Sequence, residues 1–134
     1  MPVLHAHLPF VRHPEHEEFL EETWLFEAIN ETYLPLLRVF RGLEADKVPF
    51  KLTMSISPTL ATMLRDDLLL SRYERHLDRL IELAEREVAR TSGDPLFEPV
   101  AQMYRDMFLE NRHDFAVRYE RDVLRGFDYY HKRG

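Results

Sequence analysis

The chain has 134 residues, of which 45% are hydrophobic and 31% charged, and its net charge is −6 with neutral histidines. These values are typical of one soluble globular domain, and the negative charge argues against a nucleic-acid partner because phosphate binding needs a cationic surface. The sequence contains no cysteine, membrane-span-length apolar run or signal peptide, so we expect a cytoplasmic protein with no disulfides, thiolate metal site or membrane partner.

A short apolar segment at residues 2–10 predicts the first strand, which Pro9 ends. His5 and His7 lie two residues apart and therefore project from the same side of that strand. If the strand belongs to an α/β barrel, its carboxyl end faces the active-site mouth. Two imidazoles there can donate hydrogen bonds to sugar hydroxyls, sit near carboxylates or bind a metal. The alternative is that they are exposed histidines without a role.

Residues 11–23 predict a loop that is rich in histidine and glutamate. His13 and His16 extend the histidine cluster, and neighbouring glutamates could complete a zinc site that uses no cysteine. Acidic loops with scattered histidines are more often solvated surface, so we predict no metal site and no cofactor.

The next segment predicts a helix from about Trp24 to Leu43, with Thr23 as its N-cap. Pro35 lacks an N–H group and should kink or split this helix near Tyr33. Trp24 is the only tryptophan, and its flat ring could stack on a sugar or pack in the core.

Residues 50–57 alternate apolar and polar side chains and predict a second strand. Ser57 and Pro58 form a helix start, with serine as N-cap and proline at the first helical position. The remainder predicts helices over about 58–65, 68–90 and 96–131, with a break at 91–95 and another near Asn111.

Two strands joined by a helix favour parallel neighbours, and two strands alone make a poor parallel sheet. The pattern is therefore that of the beginning of an α/β barrel, mostly helical by residue count. The charges of the 68–90 helix predict a solvated, salt-bridged surface without a catalytic carboxylate pair. They comprise Glu74, Asp78, Glu82, Glu85 and Glu87 together with Arg72, Arg75, Arg79, Arg86 and Arg90.

Three blocks in order resemble the 1,4-alpha-glucan branching enzymes of glycoside hydrolase family 57. They are residues 3–12 (VLHAHLPFVR), 22–37 (ETWLFEAINETYLPLL) and 52–60 (LTMSISPTL). The resemblance implies a distorted (β/α)7 barrel and retaining transfer of α-1,4-glucan segments to 6-hydroxyls in glycogen-type carbohydrate metabolism. Retention needs two carboxyl groups about 5 Å apart. In the family these are a Glu nucleophile and an Asp acid/base, and neither aligns with a position in this chain.

The resemblance carries over His5, His7 and Trp24 as substrate-binding residues, and assigns no catalytic residue here. It implies that residues 1–134 are an incomplete N-terminal part of the catalytic barrel, with strand-helix-strand over 1–60 and a helical region over 61–134. We therefore expect an α-glucan substrate such as amylose or a glycogen-like polymer, and no activity from this chain alone. Open strand edges predict pairing with a complementing C-terminal piece or self-association.

Two other functions fit the same residues. A metal-dependent barrel hydrolase also places His-x-His at the end of its first strand, where it binds zinc. A non-enzymatic module could instead bind a partner helix through the apolar faces of its helices from Leu68 onward. The sequence does not separate branching from hydrolysis or other glucan transfer.

Overall fold

A computed structural model describes all 134 residues of the chain, and none of its helices is both long and apolar enough to cross a membrane. Two π-helical turns interrupt the helices, the first at Ile29–Tyr33 and the second at Asp114–Arg118. The other elements, in chain order, are β1 (Val3–Ala6), α1 (Glu22–Ala28), α2 (Leu34–Ala45), β2 (Thr53–Ile56), α3 (Pro58–Met63), α4 (Asp67–Arg90), α5 (Glu98–His113) and α6 (Val123–Arg133).

The two strands pair in parallel, in a register that runs from Val3 opposite Thr53 to Ala6 opposite Ile56. This confirms the predicted strand, helical crossover and parallel strand, and the predominance of helix by residue count. Strand alternation gives the sheet two different faces. One carries exposed residues of both strands, and the other turns Ala6 and Ile56 toward the hydrophobic core.

The predicted interruption of the helix near Tyr33, ahead of Pro35, is confirmed. It takes the form of the first π turn. The N–H of Leu34 bonds to the carbonyl of Ile29, five residues back. The carbonyl of Asn30 would accept from Leu34 in an α-helix or from Pro35 in a π-helix, and proline has no N–H. The buried side chain of Asn111 donates to that carbonyl from α5 at 2.9 Å.

The helices pack around a hydrophobic core, and each long helix contributes one of its faces to that core. Tyr73 at its centre is fully buried, contacts Phe115 edge to face and donates a hydrogen bond to Asn30 at 2.5 Å. In α4 this face includes Tyr73, Leu77, Ile81 and Ala84, which are all buried. The other fully buried apolar residues include Leu25, Ile29, Leu34, Leu37, Leu60, Met63, Leu69 and Val123.

Side-chain caps begin three helices, and the predicted one at Ser57 is confirmed, with its hydroxyl accepting from the Leu60 N–H at 3.3 Å. Asp66 and Asp122 cap α4 and α6 in the same way. The predicted Thr23 cap was wrong. The first helix already begins at Glu22, and the Thr23 hydroxyl donates to the carbonyl of Leu20.

The predicted break near Asn111 was also wrong, because the helix continues through that residue into the second π turn. The chain turns later, where Glu120 and Arg121 adopt positive φ angles of 50° and 64°. Asn111 lies inside a helix without disrupting it because its side-chain amide forms hydrogen bonds with another helical segment. The amide donates to the carbonyl of Asn30 and accepts from Arg38. A helix-disfavouring residue therefore serves here as a contact between elements.

Candidate functional site

The two histidines of the predicted site lie at the carboxyl end of β1, on the exposed face of the sheet. His5 is in the strand and His7 directly follows it. Their rings lie nearly parallel, with an angle of 7° between the planes and 5.8 Å between the centroids. The structure therefore places both imidazoles side by side, where a ligand can meet both at once.

Ser55 of β2 joins this pair and was missed by the sequence reasoning. It lies opposite His5 in the register, and its Oγ is 2.6 Å from His5 Nδ1. This hydrogen bond orients the His5 ring and leaves Nε2 available to a ligand. Strand alternation combined with a parallel register could have identified Ser55, because it places residues 5 and 55 on one face.

Trp24 lies on α1, and its side chain is 49% exposed. Trp24 therefore does not pack in the core of these 134 residues. Its neighbours Leu25 and Phe26 fill the core instead. A half-exposed indole presents one flat apolar surface, which suits stacking on the face of a sugar ring.

The loop histidines make local contacts. His13 stacks on Phe19 with 3.6 Å between ring centroids, and its Nδ1 lies 3.1 Å from the carboxylate of Glu15. A backbone hydrogen bond, reinforced by His13, lowers the pKa of the exposed Glu15 carboxyl. No group of three or more His, Asp or Glu side chains converges in a way that could hold a metal ion.

A buried ion pair corrects the prediction that the charges of the 68–90 helix all lie on a solvated surface. Arg72 of α4 is 7% exposed and Glu22 of α1 is 1% exposed, with 2.5 Å between Nη1 and Oε1. Arg72 also donates to the carbonyls of His13 and His16. Nothing in the sequence distinguished Arg72 from its exposed neighbours, because its partners lie about 50 residues away.

A cavity of about 640 Å³ lies on the opposite side of the sheet from the histidines. Met54 and Ile56 of β2 form part of its wall, and strand alternation turns these two residues away from Ser55. Helix α6, Phe40 of α2 and residues 50–52 before β2 supply most of the remaining wall. The aromatic and apolar residues involved are Phe40, Phe50, Leu52, Leu124, Phe127 and Tyr130. The sheet therefore separates an apolar cavity from a polar, histidine-bearing surface.

Comparison with known proteins gives a consistent result. The family model for glycosyl hydrolase family 57 matches residues 2–134. An alpha-amylase from Thermotoga maritima superposes with a TM-score of 0.92 at 47% identity, over 99% of this chain and 25% of that one. A family 57 branching enzyme from Thermococcus kodakaraensis superposes with a TM-score of 0.85 at 30% identity, over 98% of this chain and 23% of the other.

A branching enzyme of the same family from Pyrococcus horikoshii gives a TM-score of 0.87 at 28% identity, over 98% of this chain and 24% of that one. In sequence, the 1,4-alpha-glucan branching enzyme of Thermococcus kodakarensis is 38% identical over 86 residues, which is 64% of this chain and 13% of the relative. The chain thus spans about a quarter of each solved structure and less of the sequence relative.

Proposed function

The chain belongs to glycoside hydrolase family 57, and from that premise we propose that it forms one wall of the α-glucan cleft of a 1,4-alpha-glucan branching enzyme. In this proposal β1 and β2 are neighbouring strands of a distorted (β/α)7 barrel. The face that bears His5 and Ser55 turns toward the barrel interior. Residues 1–60 supply the strands and their crossover, and residues 61–134 supply a helical region.

The observation that carries the proposal is the pair of parallel imidazoles at the carboxyl end of β1. Active sites of α/β barrels lie at this end of the strands. With His5 oriented by Ser55, the rings of His5 and His7 can bond neighbouring sugar hydroxyls. Their role is to orient the sugar and stabilise developing charge, and not to attack the glycosidic carbon.

Trp24 is the second part of the proposed subsite. Its exposed indole stacks on a glucose ring, while the histidines bond hydroxyls at the ring edge. Stacking holds the plane of the sugar and hydrogen bonds hold its rotation within that plane. Together the two contacts define one orientation of the bound glucan.

Retaining transfer also needs a nucleophile and an acid/base about 5 Å apart. We propose that both carboxyl groups come from parts of the enzyme outside these 134 residues, so the chain alone neither branches nor cleaves amylose. Hydrolysis of α-glucan is the second candidate, because the Thermotoga maritima alpha-amylase shares 47% identity with the chain. New α-1,6 linkages formed by the complete enzyme support branching, whereas reducing ends without new linkages support hydrolysis.

The binding proposal is tested on the chain itself with maltoheptaose, a linear α-1,4-linked heptasaccharide. Trp24 is the only tryptophan, so its fluorescence reports contact at that residue directly. We expect saturable quenching, and a Kd that rises roughly tenfold in His5→Ala/His7→Ala, since each lost hydrogen bond is worth about 0.5–1.5 kcal/mol.

The matched control is His131→Ala, an exposed histidine of α6 that lines the apolar cavity on the other side of the sheet. We expect this variant to bind maltoheptaose as the unchanged chain does. Calorimetry on the same variants separates loss of binding from loss of signal. Equal affinity in the double variant and the unchanged chain would show that the two histidines do not contact the glucan.

A further inference from the structure

The buried ion pair of Arg72 and Glu22 holds the segment between β1 and α1 through hydrogen bonds. Arg72 donates one hydrogen bond to the carbonyl of His13 at 3.1 Å and another to the carbonyl of His16. Glu22 accepts the backbone N–H of His13 at 3.3 Å. All three bonds hold backbone atoms, so they fix the path of the segment whatever its side chains are.

The geometry of arginine suits this arrangement. Its planar guanidinium presents several N–H groups at fixed angles, so it can serve a carboxylate and two carbonyls at once. Burying two charges carries a large desolvation cost, and an apolar pair of similar volume is often at least as stable. A gain in net stability therefore does not explain why this pair is buried. The hydrogen bonds from the pair to the segment between β1 and α1 do explain it.

The segment connects the two halves of the proposed glucan subsite. It begins at His7, directly after β1, and ends at α1, where Glu22 lies two residues before Trp24. The part of the segment that directly follows His7 is held by other contacts. These are the ion pair of Arg12 with Asp66 at 2.7 Å and the buried side chain of Val11. The Arg72–Glu22 pair holds the segment at His13 and His16, on the way to α1 and the indole.

We propose that Arg72 and Glu22 are positioning residues that fix Trp24 relative to the imidazoles of His5 and His7. This inference rests on the proposed glucan subsite. Neither residue contacts the sugar. They act by holding the connecting segment, so that the stacking surface and the hydrogen-bonding groups meet the same glucose unit.

The test separates positioning from stability. Arg72→Met alone leaves the Glu22 carboxylate buried without its compensating positive charge and lowers the melting temperature. The double variant Glu22→Leu/Arg72→Met removes both charges, so the melting temperature returns close to that of the unchanged chain, but the bonds to His13 and His16 remain lost. We expect the double variant to bind maltoheptaose roughly tenfold more weakly, since small misplacements of binding groups have effects of that size or larger.

Trp24 gives a second readout that needs no sugar. In the double variant we expect its emission maximum and its quenching by acrylamide to change, because the start of α1 is no longer held. Arg79→Met is the matched control. It removes an exposed ion pair with Glu18 of the same segment, 2.5 Å long, and leaves the backbone bonds intact. We expect both Trp24 readouts and the Kd to stay unchanged in this control.

The outcomes distinguish this inference from the proposed function. A folded double variant with unchanged Kd and unchanged Trp24 quenching overturns the positioning role. If the unchanged chain itself does not bind maltoheptaose, the proposed function fails. In that case the acrylamide measurement still decides whether the pair positions Trp24.

Discussion

Gly126 of α6 lies against Leu37 of α2 and Tyr119. A Cβ at this position would come within 2.7 Å of Leu37 Cδ1 and 2.9 Å of Tyr119 Cε1. Leu37 is fully buried and Tyr119 is nearly so, and both must shift within the packed interior to admit a Cβ. The absence of a side chain therefore sets the distance between the two helices.

We predict that Gly126→Ala destabilises the protein by about 1–3 kcal/mol, the usual cost of overpacking a core. Urea unfolding measures the change. Gly42→Ala is the control, because a Cβ on that residue of α2 meets nothing within 4 Å. We expect the control to gain about 0.5–1 kcal/mol from helix propensity. A gain of similar size at Gly126 would contradict the packing account.

Sequence reasoning succeeded for residues whose role depends on near neighbours. The Ser57 cap depends on an N–H group only three residues away, and the relation between His5 and His7 depends on strand alternation alone. It failed for Arg72, whose partners lie elsewhere in the chain, and missed Ser55, which the register brings to His5. Residue type and spacing do not encode such distant pairings.

At the scale of elements, β1 and β2 form a sheet of only two strands, so each has an unpaired edge. The carbonyl of Pro2 accepts a hydrogen bond from the N–H of Thr53 in β2, and the carbonyl of Ala6 accepts one from Ser57, directly after β2. The backbone groups of Val3 therefore point to the free edge, since successive residues of a strand alternate in direction. Such an edge can pair with another chain.

We predict that the chain self-associates through this edge as its concentration rises, and that Val3→Pro reduces the association by removing an outward N–H. Sedimentation velocity over a range of concentrations measures it. Leu4→Pro is the comparison, because Leu4 faces β2 and the same change there should destabilise the sheet. Unaltered association in a folded Val3→Pro variant would show that another surface is responsible.

Elements with a strong local pattern were predicted well. The two strands, the break after α4 and the interruption before Pro35 all follow from periodicity and from proline chemistry. The turn between the second π turn and α6 was placed about eight residues too early. There the decisive facts were tertiary, because the buried amide of Asn111 is bonded to Asn30 and Arg38 and so does not break the helix.

At the scale of the whole molecule, four tyrosines make the free energy of unfolding depend on pH in the alkaline range. Burial raises the pKa of Tyr33, Tyr73, Tyr119 and Tyr130 above the ordinary value of 10.0. The folded state keeps these phenols neutral at pH values where the unfolded chain ionises them. Their contribution is therefore fully present below pH 10 and is lost as the pH rises above it.

We predict that the free energy of unfolding falls between pH 10 and 11. Fully buried Tyr73 accounts for up to about 1.4 kcal/mol of the loss per pH unit. Urea unfolding at pH 9, 10 and 11 measures the slope, and absorbance at 295 nm follows tyrosinate formation. Tyr73→Phe should flatten the slope, although it also loses the bond to Asn30. Ionisation of all six tyrosines near pH 10 with native circular dichroism would contradict this coupling.

The small sheet has a consequence for how relatives of this chain can diverge. The sheet is a single layer, so consecutive residues of a strand lie in different environments. His5 and Ser55 face outward, while Ala6 and Ile56 face the core. Every second position can therefore change with the ligand while the positions between continue to satisfy packing. On the proposed glucan-binding face, single substitutions can therefore alter specificity while the positions that pack in the core stay unchanged.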